Sequence, residues 1–145
     1  PMVETAEQAR DIVKWSRYPP AGRRGAAFGA AHDDFVAGPV TGKIAAAHAR
    51  TFVIALIETD VGLKNVDAIA AVEGIDCLWL GHFDMTNFLG IPAQFDHPKF
   101  VKGDRAVRAY GESIAFYEQL VAEGHTRFQQ QLDEARANLE AVKAG

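Results

Sequence analysis

The sequence is poor in cysteine, contains no long apolar run and carries no excess of basic charge. Cys77 is the only cysteine, so an internal disulfide and a thiolate-rich metal cluster are both excluded. The longest apolar run, 52–57, is far shorter than the roughly 20 residues that span a bilayer. The net charge is −4 and the Lys and Arg residues are scattered, which argues against a nucleic-acid partner. Glu4 and Glu7 argue against a signal peptide. With a single cysteine, a reducing cytoplasm is the default expectation, and no membrane partner is expected.

The length and composition indicate one domain. The chain has 145 residues, of which 48% are hydrophobic and 23% are charged, as is usual for a soluble globular domain. Neither tandem repeats nor low-complexity segments divide it. We therefore treat residues 1–145 as a single domain.

Hydrophobic patterns, together with the Pro and Gly residues that end helices and strands, predict alternating helices and strands. Thr5 and Gln8 have capping-box spacing and begin a helix that ends at Tyr18-Pro19-Pro20. The later elements are predicted as a helix at 42–50, a strand at 51–57, a helix at 65–72, a strand at 75–80, a weaker strand at 105–110, a helix at 113–123 and a final helix with the apolar seam Phe128, Leu132, Ala135, Leu139 and Val142. The order strand, helix, strand with apolar strands indicates a parallel α/β sheet buried on both faces, either doubly wound or part of a barrel.

Two strands of this predicted sheet are followed by a carboxylate. Glu58 comes directly after the first strand, and Asp84 lies just past the second, 26 residues further on. That separation is about one βαβ repeat, so the two strands should be neighbours with their carboxyl ends at the same edge. Two carboxylates and water suit a hard cation such as Mg²⁺ or Mn²⁺. The spacing alone leaves open the alternative that both are solvated loop acids.

Four blocks of the sequence resemble the HpcH/HpaI aldolase/citrate lyase family, specifically its class II 2-oxo-acid aldolase branch. They occur in family order as PMVETAEQA, GRRGAAFGAAHDD, ALIETDVGLKNVDAIAAVEGID and LWLGHFDMTNFLGIPAQFDHP. The resemblance implies a (β/α)₈ TIM barrel of the phosphoenolpyruvate/pyruvate type. This chain would be a fragment or shortened version of that barrel, with parallel strands, outer helices and a long C-terminal helix.

The resemblance also implies the site residues and the chemistry. Glu58 and Asp84 map onto the family's metal ligands, and the family's pyruvate-binding backbone amides point to Gly81, Phe83 and Asp84. The implied cofactor is Mg²⁺ or Mn²⁺, with Co²⁺ as a further candidate, and the implied partners are pyruvate and an aldehyde. The implied reaction is reversible aldol cleavage of a 4-hydroxy-2-oxo acid, in which the metal binds pyruvate and stabilises its enolate without a Schiff-base lysine.

Three departures from the family pattern bear on activity. The chain is shorter than a barrel of about 250 residues and begins near the family's fourth strand. The family's catalytic His and Arg therefore have no matching position, and the catalytic base is unassigned. After Pro98 the sequence passes towards what resembles the end of the last strand, at 109–111, as a deletion or omitted residues would produce. Leu56 stands where the family commonly has Gln, which removes a polar group from the pocket.

Two alternatives to an aldolase stay open. The first is a non-catalytic truncated remnant or oligomerisation piece of such an aldolase, which the absence of the His and Arg favours. The second is a citrate-lyase-like CoA-ester lyase with the same metal ligands. The block at 81–98 favours the small-aldehyde branch over the CoA-ester lyase. Because strands taken from a closed barrel leave open edges and an apolar face, we expect a homo-oligomer through the C-terminal helix.

The remaining polar or reactive candidates are interpreted as structural. These are His82 as a pocket-shaping residue, His32 with Asp33 and Asp34 as a rim or subunit contact, Arg23 and Arg24 as surface arginines, and Cys77 and Trp79 as packed strand residues.

Overall fold

The computed structural model describes residues 1–111 and 133. The helices are α1 (Ala6–Ser16), α2 (Val40–Arg50), α3 (Asp60–Lys64), α4 (Val66–Ala70), α5 (His82–Phe88) and α6 (Pro98–Gly111), with a 3-10 turn at Ala31–Asp33. The strands are β1 (Ile54–Ile57) and β2 (Cys77–Leu80). Within the described part of the chain, no helix has the length and hydropathy of a membrane span. The two predicted C-terminal helices, including the apolar seam, lie outside the described residues.

Helix α1 begins at the predicted capping box. The Thr5 hydroxyl accepts the Gln8 N–H at 3.2 Å, and the Gln8 side chain accepts the Thr5 N–H at 3.0 Å. These two bonds satisfy donors that a helix start would otherwise leave open. Ala9 is fully buried on the inner face, so the helix is fixed both by its cap and by its packing.

The two strands are parallel neighbours, as the sequence predicted. Ile54 lies opposite Cys77 and Ile57 lies opposite Leu80. Helices α3 and α4 form the connection between the strands, which makes a βαβ unit. The carboxyl ends of β1 and β2 therefore lie at the same edge of the sheet. This confirms the mixed α/β class with parallel strands.

Only one face of this sheet is buried, and the prediction of burial on both faces is wrong for the described residues. Ala55 and Leu78 are buried on the helix-covered face, where they join the main hydrophobic cluster. On the other face, which we call the open face, Ile54 is 43% exposed and Trp79 is 58% exposed. The apolar run predicted burial without showing what would cover each face. Trp79 is therefore not the packed residue that its neighbours suggested.

The predicted strand at 105–110 is wrong, because these residues belong to helix α6. The helix begins at Pro98, whose missing N–H and fixed φ suit the first turn. Phe100, Gly103 and Val107 are buried at helical spacing, and α6 packs against β2. The predicted passage to the family's last strand at 109–111 is therefore also wrong. The prediction considered residues 105–110 alone and therefore missed Phe100 and Gly103, the first buried positions of the helix.

Candidate active site

Glu58 is a buried carboxylate at the end of β1. It is 7% exposed, and its Oε2 accepts the backbone N–H of Met2 at 2.8 Å. Val3, which follows Met2, donates its N–H to the Leu56 carbonyl at 3.1 Å. This bond fixes the N-terminal segment along β1. Gly81 lies on the other side of the carboxyl group: a Cβ added there would be 2.6 Å from Glu58 Oε1. The carboxylate is thus held between a backbone donor and a position that has no side chain.

Asp84 follows Gly81 by three residues and lies in the first turn of α5. Strand β2 ends at Leu80, Gly81 is the N-cap of α5, and Asp84 follows three residues later, half-buried. The Glu58 side chain contacts Gly81 itself. The turn after β2 therefore brings the segment that carries Asp84 to the edge at which Glu58 emerges.

Of the three backbone N–H groups that the resemblance implies for pyruvate binding, that of Gly81 already has an acceptor within the protein. The Gly81 N–H donates to the Ile57 carbonyl at 3.0 Å, so Gly81 is not an open donor for a substrate carboxylate. Phe83 and Asp84 lie in the first turn of α5, where backbone N–H groups have no acceptor within the helix. The resemblance identified Gly81 as an amide donor, whereas the structure gives it a steric role beside Glu58.

The described residues around the two carboxylates fit a divalent cation. Across residues 1–111 and 133, neither Glu58 nor Asp84 forms an ion pair with a basic side chain. A buried carboxylate without a cationic partner is costly, and a bound cation would offset that cost. The same residues contain no group of three or more His, Cys, Asp or Glu placed to hold a metal ion. Any cation would accordingly take carboxylate oxygens completed by water or substrate, as Mg²⁺ does.

An apolar cavity of about 520 Å³ adjoins this edge on the open face. Its lining residues are Pro1, Ile54, Leu56, Trp79, Leu80, Gly81 and His82. Leu56 lies in β1 and precedes Glu58 by two residues. The His82 ring lies 6.0 Å from the Phe100 ring, which agrees with a pocket-shaping residue.

Asp33 and Arg24, two of the other polar candidates, have structural partners. Asp33 accepts a hydrogen bond from Lys43 Nζ at 2.7 Å, and this bond is the main reason why the Asp33 pKa is lowered to about 2. Further bonds from the Gly29 and Ala30 N–H groups make Asp33 the centre of a local loop network. The Arg24 guanidinium lies 4.7 Å from the centre of the Tyr18 ring.

Cys77 is a half-buried residue at the start of β2. Burial raises the pKa of its thiol, and the nearby Asp76 charge acts in the same direction. A raised pKa keeps the thiol protonated and unreactive at neutral pH, in agreement with a structural role.

The Met2 amide is the contact that sequence reasoning missed. A backbone N–H leaves no trace in residue type, and Met2 adopts a left-handed backbone conformation with φ of 54°. The block at 1–9 pointed to this segment through its resemblance only. It did not indicate that the segment donates a hydrogen bond to Glu58.

The sequence and the structure of this chain are similar to those of known proteins. A family model described as HpcH/HpaI aldolase/citrate lyase matches residues 1–141. The hydroxypyruvate/pyruvate aldolase of Roseobacter denitrificans is 41% identical over 98 residues, which are 68% of this chain and 38% of that protein. The 2-keto-3-deoxy-L-rhamnonate aldolase of Klebsiella pneumoniae is 38% identical over 120 residues, 80% of this chain and 45% of that protein. The crystal structure of an HpcH/HpaI aldolase from Desulfitobacterium hafniense matches with a TM-score of 0.69 at 32% identity, covering 76% of this chain and 42% of that one. The matched part of this chain is thus less than half the length of these relatives.

Proposed function

Because the chain belongs to the HpcH/HpaI aldolase/citrate lyase family, we propose that it contributes the acidic residues of a divalent-cation-dependent 2-oxo-acid aldolase. Glu58 and Asp84 would hold the cation, Mg²⁺ or Mn²⁺ with Co²⁺ as a further candidate. The observation that carries this proposal is the buried Glu58 carboxyl lying against Gly81, three residues before Asp84. The ends of two neighbouring parallel strands supply these two side chains, and parallel α/β folds bind ligands at that edge, which supports the proposal.

The proposed reaction cleaves a 4-hydroxy-2-oxo acid into pyruvate and an aldehyde. The bond between C3 and C4 breaks, the 4-hydroxyl loses its proton, and C3 gains one. A divalent cation, when bound, supplies a Lewis acid that stabilises negative charge developing on the oxo acid. The described residues would position the reactants: the amides of Phe83 and Asp84 would orient the substrate carboxylate, and the Met2 N–H would keep Glu58 aligned. No residue of this chain is assigned as the base.

The comparisons favour an aldolase over a CoA-ester lyase. Both relatives compared above are named as aldolases, at 41% and 38% identity. Their substrates differ, one being named for hydroxypyruvate and pyruvate and the other for a deoxy sugar acid. We therefore propose the class of reaction and the oxo-acid product, and leave the aldehyde unspecified.

The test is pyruvate release from a 4-hydroxy-2-oxo acid, measured with Mn²⁺ and with excess chelator. We expect release that requires the cation and is abolished in Glu58→Gln and in Asp84→Asn. Glu7→Gln and Asp11→Asn remove matched, exposed carboxylates from α1 and should leave release unchanged. Release that persists in chelator or in either site variant would contradict the proposal, as would a wild-type chain that binds Mn²⁺ but releases no pyruvate.

A second candidate function, assembly into a homo-oligomer, is favoured by the open face. An indole that is 58% exposed and an isoleucine that is 43% exposed lie on the same face of the sheet, and such an apolar surface is suited to burial between subunits. The C-terminal helix predicted to form the interface lies outside the described residues, so we propose this contact from the sequence alone. Light scattering tests the assembly: a compact monomer at all concentrations would contradict it.

A further inference from the structure

His48 holds the end of α1 against α2 in a way that depends on its protonation state. Its Nε2 accepts the backbone N–H of Tyr18 at 2.8 Å. Only a neutral imidazole has a ring nitrogen that can accept, because both nitrogens of the charged ring are donors. Tyr18 is 1% exposed, so water cannot readily replace the lost acceptor. Protonating His48 therefore removes this bond and leaves a buried donor unpaired.

Charged side chains at the C-terminus of α1 and in the segment before β2 lie around His48. Arg17 Nη1 donates to the His48 carbonyl at 2.7 Å, so a cation already contacts the same residue. Asp76 faces this arginine at 3.7 Å, but the same carboxylate oxygen accepts the Val53 N–H at 2.7 Å. Glu73 lines the cleft that His48 shares with Arg17. In the described residues, His48 itself forms no ion pair with either carboxylate.

Tyr18 transmits this contact to the segment that follows α1. Its ring stacks on the His48 ring at 5.9 Å and contacts the Phe28 ring at 5.5 Å. The Arg24 guanidinium lies over the same ring. Residues 22–24 have backbone bonds of their own to the carbonyls of Lys14, Arg17 and Tyr18, so the contact that depends on His48 is that of the Tyr18 amide itself.

We propose that His48 is a pH-sensitive latch: its neutral ring holds the Tyr18 amide, and protonation of the ring in mild acid releases that amide. The bond exists only in the neutral state, and an imidazole changes charge between pH 5 and 8. The opening is local. The strand pair has its own contacts, including the Gly81 N–H bond to Ile57, that do not involve a histidine.

Amide hydrogen exchange, corrected for its intrinsic pH dependence, tests the latch. Protection of the Tyr18 amide should fall about fivefold on acidification from roughly pH 7.5 to pH 5.5, as the loss of one hydrogen bond predicts, while the Gly81 amide stays protected. In His48→Gln the side-chain oxygen can accept the same N–H without titrating, so protection should not change with pH. His97→Gln is the matched control, because His97 accepts the Lys99 N–H at 3.2 Å on a separate helix; it should keep the wild-type fall.

Three results would overturn the latch. They are pH-independent Tyr18 protection in the wild type, a wild-type fall in His48→Gln, and loss of Gly81 protection in parallel with Tyr18. A second measurement decides the question if the variant does not fold. The titration of the His48 ring, followed by nitrogen NMR, must have the same midpoint as Tyr18 opening, and different midpoints would refute the coupling.

Discussion

Replacing Gly81 with alanine should displace the Glu58 carboxylate while leaving the backbone unchanged. Gly81 has φ of −86°, which alanine adopts without strain. The added Cβ would lie 2.5 Å from Glu58 Cγ and 2.9 Å from Cδ. These separations fall about 1 Å short of normal carbon–carbon contact. The Glu58 side chain must therefore move, and because it is buried it has little room to do so.

The displacement has two measurable consequences. Overpacking a tight site typically costs about 1–3 kcal/mol of unfolding free energy. A shift of the carboxyl group by about 1 Å would also stretch its 2.8 Å bond to the Met2 N–H and misalign the proposed ligand. We expect Mn²⁺ affinity to fall at least tenfold, which corresponds to about 1.4 kcal/mol.

Calorimetric Mn²⁺ titration and urea unfolding of Gly81→Ala measure both effects. The control is Gly25→Ala, since a Cβ at Gly25 would meet no atom within 4 Å. That variant should bind Mn²⁺ and unfold like the wild type. Wild-type Mn²⁺ affinity in Gly81→Ala would refute the steric argument and the role assigned to Glu58.

Two other predictions concern the loop network and the open face. The Lys43 hydrogen bond lowers the Asp33 pKa to about 2, so this bond stabilises the fold above the ordinary value of 3.8 and is lost as pH falls through about 2. Asp33→Asn should therefore lower the melting temperature at neutral pH, with the difference shrinking from about pH 4 to pH 2; an undiminished difference at pH 2 would contradict the assignment. In a Trp15→Phe variant, where Trp79 is the remaining tryptophan, acrylamide should quench its emission readily in dilute protein; a shielded indole at the highest dilution would contradict an open face.

The sequence predicted the elements whose signals are local. Thr5 and Gln8 identified the start of α1 because capping depends on side chains three residues apart. The apolar runs before Glu58 and Asp84 predicted two parallel neighbours correctly. The first predicted strand was too long: β1 covers only the last four residues of the 51–57 segment.

The wrong predictions concern features that tertiary packing determines, namely the secondary structure of residues 105–110 and the burial of Trp79. Residues 105–110 look strand-like alone, but Phe100 and Val107 share a buried helix face that a short window divides. Trp79 was expected inside because its neighbours are apolar, although burial depends on what packs against that face. The bond between His48 and Tyr18 spans 30 positions and involves a backbone group, so residue type could not reveal it.

The most direct test of the carboxylate pair is Mn²⁺ binding followed by the electron paramagnetic resonance of the unbound ion. We predict one saturable site in the wild-type chain, with affinity at least tenfold weaker, about 1.4 kcal/mol, in both Glu58→Gln and Asp84→Asn. Glu7→Gln and Asp11→Asn should bind like the wild type. Unchanged affinity in either site variant would show that the two carboxylates do not share a cation.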